Sequence, residues 1–115
     1  MDWKDFFAQT SEGAKGLCIG SLSSYTKSVT KDVQKFLEKS KSNFLLWSQQ
    51  VLDGTLSKEE YESLVKRQMA GIEFIAIKKA GIGKIELEKF SSGLVKIIID
   101  TTFSLLPFTH STYLT

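Results

Sequence analysis

The side chains able to do chemistry are few and far apart. Cys18 is the only cysteine and His110 the only histidine among 115 residues. A nucleophilic thiol needs a base within hydrogen-bond reach. Cys18 instead sits between Leu17 and Ile19, and His110 lies beyond Pro107 in a tail of Thr, Ser and Tyr. The expected state of Cys18 is a small buried hydrophobe, and that of His110 a solvated base on a frayed end. One cysteine and one histidine cannot complete a zinc or haem site, so neither metal nor cofactor is expected. Carboxylates pair as Glu59-Glu60 and Glu86/Glu88. Two acids in a first helical turn complement the helix dipole more often than they share a proton.

Three loop motifs fail on inspection. Asp53-Gly54-Thr55-Leu56-Ser57-Lys58-Glu59-Glu60 resembles the second half of an EF-hand loop, but aligning Gly54 with the turn glycine puts Gln49 and Val51 where calcium needs carboxylates. A helix C-cap at Gly54 followed by a capping box at Ser57 and Glu60 explains the same residues. Gly13, Gly16 and Gly20 precede no Gly-Lys-Ser/Thr sequence, so no P-loop is present. Gly81-Ile82-Gly83 lacks the third glycine of a dinucleotide fingerprint. The sequence therefore points to a non-enzymatic protein.

Charge supplies the remaining candidate. Lys27, Lys31, Lys35, Lys39 and Lys41 face only Asp32 and Glu38 in the same stretch, whose other side carries Phe36, Phe44 and Trp47. A basic amphipathic helix of this kind is ordinarily a core-facing helix with a solvated lysine face. The functional alternative is a peripheral membrane protein, with Lys27, Lys31, Lys35 and Lys39 on an anionic surface around Phe44 and Trp47. Nucleic acid fits less well, because Arg67 is the only arginine among fifteen basic residues and arginine is best shaped for bidentate phosphate contacts.

Those residues must be positioned by a single domain. Hydrophobic residues make up 42% and charged residues 24% of the chain, with a net charge of +2. These values suit neither bulk disorder nor a polytopic membrane protein. A lone cysteine excludes an internal disulfide scaffold and favours a reducing compartment, so a cytoplasmic location is expected. The start Met1-Asp2-Trp3-Lys4-Asp5 carries two acids where a secretory signal would be basic. The most apolar window, Leu94 to Phe108, contains Lys96 and Asp100 and is too short for a spanning helix.

Hydrophobic spacing then sets the elements. Trp3, Phe6 and Phe7 suit a short helix, followed by a Gly/Ser-rich lead-in through residue 23. From Val29, steps of about 100° place Val33, Phe36, Leu37, Phe44, Trp47 and Val51 in one sector, predicting an amphipathic helix over 25–53 with Ser40 as its one polar interruption. The Ser57–Glu60 capping box begins a second helix whose apolar face runs Tyr61, Leu64, Val65, Met69, Ile72, Ile75 and Ala76. Helices joined by so few residues run antiparallel, which predicts a helical hairpin. Residues 70–79 are echoed by 80–89, so a β-hairpin near 72–90 competes with continued helix; the longer periodic segment favours helix. Phe90 to Leu106 is apolar nearly all round, as in a central helix ended by Pro107.

The expected fold is mostly α: a helical hairpin extended to a small three- or four-helix bundle, the alternative being α+β. Its parts are an N-terminal segment 1–23, a helical domain 24–107 and a flexible tail 108–115. On a helix continued to residue 90, Phe74, Ile77 and Ile85 form a second apolar face, and small residues at Ala70-Gly71, Ala80-Gly81 and Ser91-Ser92-Gly93 would admit a neighbouring backbone. Exposed apolar faces mark interfaces. The expected function is therefore protein–protein contact, with the chain itself or another protein as partner, in an oligomer, a larger assembly or an inhibitory complex.

Overall fold

The computed structural model describes residues 1–71, 75–79 and 81–107. They form α1 (Trp3–Leu17), α2 (Thr26–Lys39), α3 (Lys41–Asp53), α4 (Lys58–Ala70), α5 (Ile75–Lys79) and α6 (Lys84–Leu105), with a 3₁₀ turn at Gly20–Tyr25. The chain is a small helical bundle, and no strand occurs among the described residues. The competing β-hairpin does not form among the described residues, since 75–79 and 84–90 are helical.

Asp2 starts α1, its Oδ1 accepting the backbone N–H groups of Lys4 at 2.8 Å and Asp5 at 3.3 Å. The helix does not loosen at Ser11–Gly16 as the composition predicts; it runs on to Leu17. Tertiary packing outweighs the helix penalty of glycine here. A Cβ on Gly13 would lie 2.7 Å from Ile97 Cγ2, and a Cβ on Gly93 2.8 Å from Leu17 Cδ2. These two close approaches, 13 to 97 and 17 to 93, show α1 and α6 crossing antiparallel at short range. The opposite side of α1 packs on α2, where the Gln34 amide donates to Ser11 Oγ at 3.3 Å. The N-terminal segment is thus part of the same core as 24–107 rather than a lead-in to it.

The predicted helix 25–53 bends at its polar interruption. Ser40 has φ −101° and ψ 7°, yet its N–H still reaches Phe36 O at 3.0 Å and its carbonyl accepts from Phe44 N at 3.0 Å. The ladder therefore passes through the kink while α2 and α3 change direction. Phe44, fully buried just past the kink, meets Phe6 of α1 at a tilt and Phe36 and Trp47 edge-on, all at centroid distances of 5.6–5.8 Å. The T-shaped pairs are favourable beyond their buried area.

The hairpin turn is built as its residues dictate. Gly54 takes φ +82° at the C-cap of α3, and the reciprocal Ser57–Glu60 capping box starts α4. The hairpin arms are α3 and α4, since Gln68 near the end of α4 bonds Ser40 and Asn43 at the start of α3. The second helix does not continue to residue 90. It stops at Gly71, and after α5 a left-handed Gly81 (φ +69°) and the extended Gly83 lead into α6.

α6 is a central helix as expected, packing on α1 and α4 and exposing Lys96 and Asp100. Leu106, held extended before Pro107, ends it. The tail 108–115 lies outside the described residues.

Gly16 has open space where a Cβ would go. Gly16→Ala should therefore gain about 1 kcal/mol from helix propensity. Gly13→Ala meets the stiff β-branched Ile97 and should fall about 1–3 kcal/mol below Gly16→Ala. Urea unfolding of both variants checks the difference.

Candidate functional site

A groove of about 1010 Å³ lies between α2, the last turn of α4 and the start of α5. Phe36, Lys35 and Lys39 line it from α2, Arg67 and Gln68 from α4, and Ile75 from the start of α5; Asp32, Glu38 and Gly71 complete it. One end is fixed by hydrogen bonds: Gln68 Nε2 donates to Ser40 Oγ at 3.0 Å, and Asn43 Nδ2 donates to Gln68 Oε1 at 3.4 Å. Ser40 is buried, so this amide anchors the end of α4 to the bend rather than to solvent.

All four lysines of the predicted stripe, Lys27, Lys31, Lys35 and Lys39, are exposed, and no ion pair involves them among the described residues. Lys35 and Lys39 stand on the groove; Lys27 and Lys31 continue the stripe along α2. The stripe and the aromatic residues do not share a surface, however. Phe44 is fully buried and Phe36 nearly so. An interfacial helix must offer its apolar side to lipid, and here α1 already occupies that side.

The second apolar face is redistributed. Ile77 is only 1% exposed and belongs to the core, whereas Ile75 is 49% and Ile85 69% exposed. Ile77 therefore cannot serve as a surface contact, and Phe74 lies outside the described residues. The cause is the stop at Gly71: a phase counted from Tyr61 no longer applies to α5, so Ile75 and Ile77 exchange places. Within Ser91-Ser92-Gly93, Gly93 does admit a neighbour, but it is the Leu17 side chain of α1 in the same chain.

Sequence reasoning missed Arg67, Gln68 and Ile75 as groove residues. Arg67 and Lys35 line one groove only because the chain bends at Ser40 and reverses at Gly54, and no local spacing encodes that combination.

The titratable groups elsewhere have structural explanations. Burial pushes the Cys18 thiol up from its ordinary value, against a lowering hydrogen bond with Thr26, and its Sγ donates to Ala14 O at 3.5 Å. A raised thiol is a poor nucleophile. His110 lies outside the described residues. The Ser57 backbone N–H, and then its hydroxyl, hold the exposed Glu60 carboxyl below its ordinary value. No group of three or more His, Cys, Asp or Glu side chains could hold a metal ion among the described residues. No described helix is long and apolar enough to cross a membrane.

Tyr61 is pushed up to about 12 by burial, with the Thr102 hydrogen bond pulling the other way. The Thr102 hydroxyl donates its single proton to Ile98 O at 2.8 Å, so at the 2.7 Å contact between Tyr61 Oη and Thr102 Oγ1 the phenol is the donor. This chain ties α4 to α6.

No family model, curated protein or solved structure matches this chain.

Thr102→Val should cost more than Tyr61→Phe, about 1–3 against about 0.5–1.5 kcal/mol, because only the former leaves a buried donor unpaired. The phenol ionises near 10 when unfolded and near 12 when folded. Its contribution is thus complete below pH 10 and lost as pH rises towards 12. Urea midpoints across that window should fall further in the wild type than in Tyr61→Phe. Ile77→Asp should unfold the chain or cost more than about 3 kcal/mol, and Ile75→Asp should stay within about 0.5 kcal/mol. Circular dichroism with urea titration reads both.

Proposed function

We propose that this chain is a non-enzymatic protein-interaction module that docks a partner segment in the groove between α2 and α4. The observation that carries this reading is the groove's make-up. It is a concavity bounded by α2, the last turn of α4 and α5, with a half-exposed Ile75 at its edge and charged side chains along its rim. Helix-in-groove recognition uses this combination, with apolar contact for affinity and rim charges for orientation. The core supplies the rigidity such a site needs, because α2 is fixed on α1 and α4 on α6.

The partner is either a second copy or another protein, and one experiment separates the two. A photo-crosslinking residue at position 75 in the full chain, irradiated in cells, should give a discrete adduct whose mass identifies the partner. An increment of 12.9 kDa would mean self-association. The same probe at exposed Glu88, outside the groove lining, should give none. Equal labelling at both positions, or no adduct at position 75, would sink the docking role.

A further inference from the structure

We draw no further inference here: the strongest candidate, the exposed face at the start of α6 where Ile85 stands among Lys84, Glu86, Glu88 and Lys89, has balanced charges that select no occupant, and nothing in the structure shows what covers it.

Discussion

The bundle depends on how closely α1 approaches α6. Gly13 and Gly93 lie under Ile97 and Leu17 at distances no real Cβ could keep. Each helix thus offers a notch to the other's side chain, and the two backbones come together without a layer of large residues between them. This explains the odd buried face of α1, in which Phe6 and Ala14 are joined by Thr10 and Ser11. Ser11 returns its proton to Phe7 O at 2.7 Å. Thr10 Oγ1 is fully buried and finds no hydrogen-bond partner among the described residues. An orphaned hydroxyl costs stability, and the fold carries that cost on the buried face of α1.

From α1 the remaining helices are placed in two directions. α2 lies on one side through Val29, Val33 and Leu37, all fully buried, and the aromatic cluster around Phe44 locks the bend beyond it. α6 lies on the other side and carries α4 through the Tyr61–Thr102–Ile98 hydrogen-bond chain. α2 and α4 therefore answer to different neighbours. Gln68 on Ser40 ties the end of α4 to the bend, and α2, that end of α4 and α5 bound the groove. Its shape is a by-product of the core, whereas its charge comes from surface residues that the core leaves undetermined.

The sequence was most legible where a local signal and a tertiary need coincided. Gly54 and the Ser57–Glu60 box specify a turn by backbone geometry alone, and the apolar faces of 25–53 and 90–106 repeat long enough to fix their phase. The lysine stripe was legible for the same reason, being the complement of a buried face. Three features were not. α1 beyond residue 10 buries small and polar residues, which carry almost no hydrophobic signal. The kink at Ser40 keeps its hydrogen bonds, so periodicity runs through it undisturbed. The stop at Gly71 has no proline and no strong cap, and its effect is a loss of phase that reverses the roles of Ile75 and Ile77.

That last point bears on how a surface is read from a sequence. A core tolerates an error of phase in the reading, because a misplaced apolar residue still counts as apolar. An interface does not, because shifting the phase by two residues exchanges a core anchor for a contact. The same holds for Arg67, whose place in the groove with Lys35 depends on the bend at Ser40, the reversal at Gly54 and the docking of α4 on α6. Each is a modest local event, and the groove exists only where all three combine. Fold class follows from patterns averaged over many residues, while the site depends on a few angles between them.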